Sequence, residues 1–501
     1  MPVTLNGRTY TAADFLAANG YGYAQKGVSG SPLFPDQIFT DFLAEIAAQL
    51  ASVAAVDGVT PGAAGNILRS DGTQWVSTPW GQDGIGTPGA PGFGVGVCLA
   101  PPSGMTAMSG TADPYSDNFG NYTYPDGSVM VWIPAFYYKY GTGANGLSVN
   151  VVSIKPFSYF ASVAAANAAG YALHRAFYDN GVVQPGFFHD KYQPSNNAGT
   201  ASSLKNGVPL TSALRGGLAN TNFASLTGAP ADFYYGCIAA AKTRGANFFP
   251  APHFQRAALA LISRAHAQES TSTAWNAWYD GAGVINFPKG NNNNALGDAN
   301  DAGILYVADG SATNCGKTGS ANLFARTTHN GQNCGVCDLN GNIWEISPGL
   351  TVASDTAKYY VLKTSARMKD QTAGAGGAAH DLWGTAAQLL AADYEELGAT
   401  YGALLASSTL KYYGNAAQVF SEATTGLAWQ AAGLGVPLVG GVGGTNPFGN
   451  DGLWDYQPAS LCPIAGGNWA DAGYAGAWTL NLANVRGNSN YDVGFRAALY
   501  L

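Results

Sequence analysis

Charged side chains are scarce in this chain. Only 11% of its 501 residues are Asp, Glu, Lys or Arg, against a usual share of about 25%. The net charge of −8 gives no electrostatic basis for binding nucleic acid or an anionic membrane surface. The most apolar stretch, near Gly433 to Gly444, is interrupted by glycine and proline and is shorter than the roughly 18 residues of a membrane helix. No membrane span is predicted.

Cysteine and histidine are also few, with six of each. Cys334 and Cys337 form a single C-x-x-C, whereas a zinc ribbon needs two such pairs and a redox pair needs a βαβ setting. Buried, unreactive thiols are the favoured interpretation, and a metal clip that includes Cys315 or redox chemistry are the alternatives. Neither an H-E-x-x-H nor a G-x-S-x-G motif occurs. We therefore predict no enzyme activity, no cofactor and no metal.

Glycine, by contrast, is abundant, with 67 residues. Together with many Asn, Ser, Thr and Tyr residues, it is typical of an exposed, loop-rich particle that binds through polar and aromatic contacts. Met1 to Gly7 has neither the basic start nor the apolar core of a secretory signal. We expect synthesis in a cytosol and release by another route, such as cell lysis.

Residues 1–60 are predicted to hold an attachment segment and a short coiled-coil helix. The apolar residues that would form the seam are spaced alternately four and three apart: Phe39, Leu43, Ile46, Leu50 and Val53. This spacing is that of a heptad seam. The alternative is an ordinary amphipathic helix packed on a local core.

Residues 61–100 read as a small hairpin followed by a linker. Asp71 and Gly72 lie between two strand-like runs within Gly65 to Val76 and predict a turn. Gly86 to Gly92 then has glycine at every third position with two prolines, as in a collagen-like triplet array; a plain Gly/Pro linker is the alternative. Seam, hairpin and triplets in series predict a trimeric stalk.

From Tyr122 onward the chain becomes rich in aromatic strand patterns. Val129 to Ile133 and Ala135 to Tyr140 read as strands, and Phe254 to Ala265 has the apolar spacing of an amphipathic helix. Two Ala-rich stretches, 160–169 and 386–392, are predicted to be helical.

Three motifs carry more specific information. Cys337 to Ile346 (CDLNGNIWEI) reads as a hairpin in which Asn340 and Gly341 take positive φ. Gly466 to Trp469 (GGNW) precedes a final strand, Val493 to Leu501, whose alternate residues face one way. Thr243 to Ala258 contains an Arg-Gly pair before the predicted helix. The chain is thus expected to end within its core sheet.

These motifs resemble the formylglycine-generating-enzyme family, which shares them with the C-type-lectin-like heads of phage receptor-binding proteins, including those diversified by retroelements. The resemblance covers Tyr122 to Leu501 and implies an α+β fold for a head spanning 101–501, with insertions in 350–465. It also implies that the early strands pair with Val493 to Leu501. The family's oxidases carry cysteines close to the last strand, but here none lies between Gly467 and Leu501. The oxidase activity is therefore not expected.

Glu345 is predicted to be structural, accepting hydrogen bonds from turn amides or from an arginine such as Arg496, because a buried carboxylate needs a partner. Trp344 and Phe495 are expected to be core residues. Scattered acids could still form the carboxylate pair of a depolymerase: Asp190, Asp232, Glu345 and Asp381. The oxygen-rich loop 290–301 is expected to be solvated, with a bound cation as the alternative.

The stretch between the Gly-Gly strand and the last strand mixes small residues with amides and rings, a composition suited to adaptable recognition. In diversified phage heads the matching stretch faces the ligand. The candidate receptor-binding residues are Asn468, Trp469, Asp471, Tyr474, Trp478, Asn488, Asn490 and Tyr491; for the two tryptophans, a place in the core is the alternative.

The predicted function is that of a homotrimeric phage tail fibre, located in the virion tail. Its N-terminus would join a tail or baseplate protein, and its head would bind a host surface glycan or a pilus-like protein without covalent chemistry. The alternatives are a bacterial lectin-like adhesin and a tailspike-type polysaccharide depolymerase.

Overall fold

The computed structural model comprises two compact units, Met1–Trp80 and Gly81–Leu501. In the first unit the structure describes only four strands. In the second it describes residues 84–226, 229–279, 291–292, 295–296, 303–307, 314–353, 358–369, 393–397, 409–413, 431–437, 451–456 and 458–501. The statements below concern these residues.

The first unit contains two antiparallel strand pairs. They are β1 (Val3–Leu5) with β2 (Arg8–Tyr10), and β3 (Asn66–Ser70) with β4 (Trp75–Pro79). In the second pair Ser70 lies opposite Trp75, which confirms the predicted hairpin. The predicted coiled-coil helix lies outside the described residues.

The second unit is mixed helix and sheet, with few helices and many antiparallel strands, as the α+β prediction requires. Its strands are β5 (Thr106–Ala107), β6 (Asn121–Thr123), β7 (Val129–Pro134), β8 (Phe136–Tyr140), β9 (Val152–Pro156), β10 (Ala172–Leu173), β11 (Tyr178–Asp179), β12 (Val182–Val183), β13 (Gly186–Asp190), β14 (Ser195–Asn197), β15 (Thr200–Ser202), β16 (Phe249–Pro250), β17 (Asn291–Asn292), β18 (Ala295–Leu296), β19 (Trp344–Ile346), β20 (Leu350–Val352), β21 (Tyr359–Leu362), β22 (Tyr394–Glu396), β23 (Leu410–Tyr412), β24 (Gly452–Trp454), β25 (Ile464–Ala465), β26 (Leu480–Asn481), β27 (Val493–Gly494) and β28 (Ala497–Leu499). Its helices are α1 (Val163–Ala168), α2 (Phe233–Lys242), α3 (His253–Glu269) and α4 (Ala366–Lys369).

One six-stranded sheet contains the last strand. Its order is β16-β28-β13-β7-β6-β5, so β28 is an interior strand, paired antiparallel with β13 and β16. Strand β7 is present as predicted, but it reaches β28 through β13 and does not pair with it. The predicted direct pairing of the early and last strands is therefore wrong by one strand: β13, which the sequence analysis did not identify, is inserted between them.

A second six-stranded sheet, with the order β23-β24-β26-β25-β19-β27, contains the other motifs. The expected hairpin at Asn340 and Gly341 is wrong. Of the two residues expected to take positive φ, Gly341 does so (149°) and Asn340 does not, whereas Asp338 (54°) and Asn342 (74°) do. These residues form a loop that leads into β19. Strand β19 then pairs antiparallel with β25 and parallel with β27. The single long final strand predicted from the sequence is likewise split into β27 and β28, at Phe495 and Arg496.

The three longer helices begin where local chemistry favours them. Ser162 caps α1 by accepting from the Ala165 amide, and Asp232 caps α2 by accepting from the amides of Tyr235 and Gly236. Pro252 precedes α3, which is almost wholly buried. The helix predicted after Pro252 is confirmed, and the first Ala-rich helix is confirmed over Val163–Ala168. The second, at 386–392, lies outside the described residues.

The collagen-like interpretation of Gly86 to Gly92 is wrong. A polyproline segment needs φ near −75°, whereas φ is +77° at Gly86, +81° at Gly89 and +72° at Gly92. These glycines form turns within the second unit. The Gly89 amide donates to Nδ1 of His266 over 3.1 Å, and the Gly92 amide donates to the Gln332 side chain over 2.7 Å.

A buried charge cluster joins the two six-stranded sheets. Glu345 accepts from Nη1 of Arg256 and from Nε of Arg496, each over 2.8 Å, and from Gln193 over 3.1 Å. Arg496 also donates to the backbone oxygens of Lys191 and Cys337. The structural role predicted for Glu345 is confirmed. Trp344 and Phe495 are both buried, as predicted.

Two large apolar clusters form the interior, one around α3 and one around α2. The second contains Trp344 and Phe495, and Phe495 meets Phe223 edge to face at 5.4 Å between ring centroids. Among the described helices, none has the length and apolar character needed to cross a bilayer.

Candidate functional site

The segment 486–491 forms an exposed tip that is fixed to the body at both ends. Two backbone oxygens, those of Asn488 and Arg486, accept from the first amides of α2, at Phe233 (2.8 Å) and Tyr234 (3.2 Å). The first amides of a helix lack partners within the helix, so the segment completes the cap of α2. Arg486 also places its guanidinium 4.2 Å above the Tyr234 ring, which anchors the start of the tip.

A second segment, 211–215, runs beside the other side of the tip. The Ser212 amide donates to the Val493 oxygen over 2.8 Å, and the Ala213 amide donates to the Asn490 oxygen over 3.0 Å. Ser212 Oγ both donates to the Asn490 oxygen and accepts from its amide, each over 2.8 Å. Nε of Arg215 donates to the Tyr491 oxygen over 3.1 Å. The tip is thus held in place by hydrogen bonds from the backbone of 212–213 and from the side chains of Ser212 and Arg215.

The structure divides the eight candidate residues into two groups. Four are buried: Asn468, Trp469, Asp471 and Trp478. Tyr474 and Asn488 are partly exposed, and Asn490 and Tyr491 are exposed. Because recognition needs accessible atoms, only the second group is open to a partner. Leu214, which is 55% exposed, joins it from the neighbouring segment. We call Leu214, Asn488, Asn490 and Tyr491 the tip surface.

The two tryptophans of the predicted set lie in apolar clusters of the interior. Trp469 packs with Ile343 and Cys315, and its ring lies 6.3 Å from that of Tyr491. Trp478 lies in the main core, 5.8 Å from the Tyr413 ring. For both tryptophans the structure therefore matches the core alternative, because their rings are large enough to fill gaps between the sheet and its loops.

Two carboxylates lie behind Tyr491 and share one asparagine. The Asn468 amide donates to Asp471 over 2.7 Å, and its side-chain nitrogen donates to Asp492 over 2.6 Å. Burial, with a smaller contribution from the Asp492 charge, raises the pKa of Asp471 to about 6 despite the hydrogen bond from Asn468. Burial likewise raises the pKa of Asp492. The region behind the tip therefore loses negative charge readily as the pH falls.

No protein-family model and no curated protein sequence matches this chain.

The acids considered for hydrolysis of a glycan have structural partners. Asp190 accepts from Arg244 and from the Ala497 amide, Asp232 caps α2 and Glu345 lies between two arginines. Asp381 lies outside the described residues. Each described acid is thus engaged in holding elements together, and none of them lies on the tip surface.

The six cysteines are buried and form no disulfide among the described residues, which confirms the predicted burial. Burial raises the pKa of Cys334 and of Cys337, so both thiols are protonated at neutral pH. No group of three metal-ligating side chains is found in the described part of the chain. Of the loop 290–301, only the backbone strands β17 and β18 are described, so the cation alternative there stays untested.

Sequence reasoning missed the segment 211–215. It lies more than 270 positions before the tip, and its Ser-Ala-Leu-Arg sequence has no periodicity or motif that indicates recognition. The only available signal was the Gly-Gly pair after Arg215, which is typical of an exposed turn but does not identify what the turn contacts.

Asp471→Asn is expected to remove part of the pH dependence of stability. Because the folded pKa is about 6 and the ordinary value is 3.8, the folded state binds more protons than the unfolded state between about pH 4 and 6. The free energy of unfolding therefore falls as the pH rises through this window, by roughly 1–3 kcal/mol for this group. Urea unfolding at several pH values should show this decline in the wild type relative to the variant. The assignment is contradicted if the free energy of unfolding of the wild type minus that of the variant is constant or rises with pH.

Proposed function

We propose that this protein is a receptor-binding protein of a phage tail fibre, and that its tip surface attaches the virion to a bacterial cell. The contact is non-covalent. The partner is a surface glycan or a pilus-like protein, and the N-terminal unit joins the tail or baseplate. The C-terminal unit is proposed to be a C-type-lectin-like head, as the resemblance of its motifs implies.

The observation that carries this proposal is the chemistry of the tip surface. Tyr491 is 42% exposed and stands beside exposed Asn490, with Leu214 adjacent. A tyrosine offers a large rigid contact area at a small cost in rotamer entropy, and amides offer adaptable hydrogen bonds. The backbone hydrogen bonds to α2 and to 211–215 hold this surface in place before a partner arrives, which reduces the entropy lost on binding.

Weak single sites suit a multivalent fibre. A small surface of this kind binds weakly by itself, but linked copies gain about a hundredfold or more over one site. We therefore propose a homotrimer assembled through the N-terminal unit. Light scattering of the full-length protein should give three times the chain mass, and a monomer would argue against the fibre.

Tyr491→Ala and Asn490→Ala are each expected to reduce binding of the labelled full-length protein to susceptible cells at least tenfold. Both side chains are exposed, so thermal stability should stay unchanged. A panel of bacterial strains identifies cells that the wild type binds, and the bound fraction of each variant is then measured by flow cytometry.

Tyr159→Ala is the matched control. Tyr159 is 58% exposed and packs against Phe160 and Lys155, so its loss should leave cell binding intact. Normal binding by both tip variants would refute the assignment of the tip surface.

A further inference from the structure

Arg215 is a buried cation whose end groups lack partners. Its side chain is fully buried, and Nε donates to the Tyr491 oxygen. The two remaining nitrogens, Nη1 and Nη2, have no hydrogen-bond partner among the described residues. A buried charge without partners is costly, so a structure that retains one calls for an explanation.

The nearest acid does not provide the missing partner. Asp492 attracts the Arg215 charge, but no ion pair within 4.0 Å joins the two in the described part of the chain, and Oδ1 of Asp492 also lacks a hydrogen bond. Burial favours the neutral form of Asp492. The guanidinium therefore keeps two nitrogens whose donors have no partner among the described residues.

Access to Arg215 is controlled by a short exposed turn. Leu214, Gly216 and Gly217 are all exposed, so Arg215 is a buried residue within an exposed stretch. A Cβ added at Gly217 would meet nothing within 4 Å, which shows open space over the turn. The turn 214–217 belongs to no strand or helix, so it is the element whose displacement would give a ligand access to Arg215.

We propose that Arg215 binds the carboxylate of an acidic sugar in the host glycan. Nη1 and Nη2 together form a planar fork that matches the two oxygens of a carboxylate. Nε is already used by the Tyr491 backbone, which leaves the end-on arrangement. Arg215 is hydrogen-bonded to the Tyr491 backbone, and the nearby Ala213 is hydrogen-bonded to that of Asn490. In the proposed complex the side chains of Tyr491 and Asn490 contact the apolar face and the hydroxyls of the same sugar ring.

This inference rests on the proposed function and names the class of receptor. A glycan is favoured over a protein carboxylate because the tip surface combines an exposed ring with amide groups around one buried cation.

Calorimetry tests the proposal. The full-length protein is titrated with polygalacturonate, an acidic polymer, and with dextran, a neutral polymer that serves as the control. We expect the wild type to bind the acidic polymer but not dextran, and Arg215→Met to lower the affinity at least tenfold. Arg367→Met is the matched control because Arg367 pairs with Asp393 in another part of the unit; its affinity should equal that of the wild type. Asp492→Asn removes the nearest carboxylate that could compete for Arg215 and should bind at least as tightly as the wild type.

Two further measurements keep the outcomes distinct. If Arg215→Met does not fold, Arg215→Lys retains the charge without the fork and should still lose several-fold in affinity. Equal binding of polygalacturonate by wild type and Arg215 variants overturns the proposal, and so does competition by inorganic phosphate that is stronger than competition by galacturonate. If Tyr491→Ala abolishes cell binding while Arg215→Met does not, the receptor surface stands and the carboxylate inference fails. If neither variant affects cell binding, the proposed function itself fails.

Discussion

Glu345→Gln is expected to destabilise the second unit by about 3–5 kcal/mol, the usual cost of removing one partner from a buried ion pair. Glu345 is the shared acceptor of two buried guanidinium groups, Arg256 and Arg496. The neutral amide cannot balance either charge, and its nitrogen would point a donor at another donor. Urea unfolding followed by tryptophan fluorescence measures the loss.

The two arginines explain why the effect should be large. Burial lowers the pKa of Arg256 to about 10 even with Glu345 beside it, so its charge is retained at neutral pH at a desolvation cost. Burial also acts against the charged form of Arg496, but Glu345, Cys337 and Asp338 outweigh it and raise the pKa. Without Glu345, both charges remain in the interior with only backbone oxygens and distant acids as partners.

Glu396→Gln is the control. Glu396 pairs with Lys358 at the surface, where the two side chains are 36% and 54% exposed, and exposed pairs contribute little. No measurable loss of stability is expected there. If the two variants were equally stable, the Glu345 cluster would not be a support of the fold.

The prediction of Glu345 as a buried, paired acid shows what a motif can convey. Its neighbours Trp344 and Ile346 are strand-forming and apolar, so a carboxylate between them had to be paired. The need of a buried carboxylate for a partner led to Arg496 as one candidate, but it did not indicate Arg256. It lies on α3, and only the packing of that helix brings it to β19.

The errors in the sequence analysis share one cause, which is that local patterns do not specify tertiary partners. Gly86 to Gly92 has the spacing of a triple helix, yet the contacts of Gly89 with His266 and of Gly92 with Gln332 favour turns. Asn340 and Gly341 are residues typical of a hairpin turn, yet β19 pairs with β25 and β27, which lie more than 100 residues later in the chain. Helix α3, whose apolar spacing lies within one segment, was predicted correctly.

The candidate site follows the same rule. A composition of rings and amides marked the stretch 468–491 as suited to recognition, but it could not separate Tyr491, which faces outward, from Trp478, which fills the core. Alternation along a strand gives such a separation, but this stretch is mostly loop. The anchoring segment 211–215 needed the structure because its hydrogen bonds to the tip, from the backbone and from the side chains of Ser212 and Arg215, join residues more than 270 positions apart.

Phe495→Ala is expected to cost about 3–5 kcal/mol, as for other large-to-small changes of a buried aromatic residue. Phe495 is fully buried and meets Phe223 edge to face. Gly494, before it, has no room for a Cβ because the Leu210 oxygen and the Ile343 side chain lie against it. The backbone here is therefore closely packed and cannot collapse into the cavity that the variant creates.

The loss of packing at Phe495 should also weaken the tip surface. The Phe223 amide donates to the Thr211 oxygen over 2.9 Å, at the start of the segment that holds Asn490 and Tyr491, so a loosened Phe223 weakens that anchor. We expect Phe495→Ala to reduce both the unfolding free energy and cell binding at a temperature where the variant is still folded. Phe495→Leu should lose less of each.

Phe157→Ala is the control, because Phe157 is 37% exposed and stacks on Tyr137. Its loss should lower the unfolding free energy by less than about 1 kcal/mol. Equal losses in the Phe495→Ala and Phe157→Ala variants would show that the packing of the last strands does not support the tip.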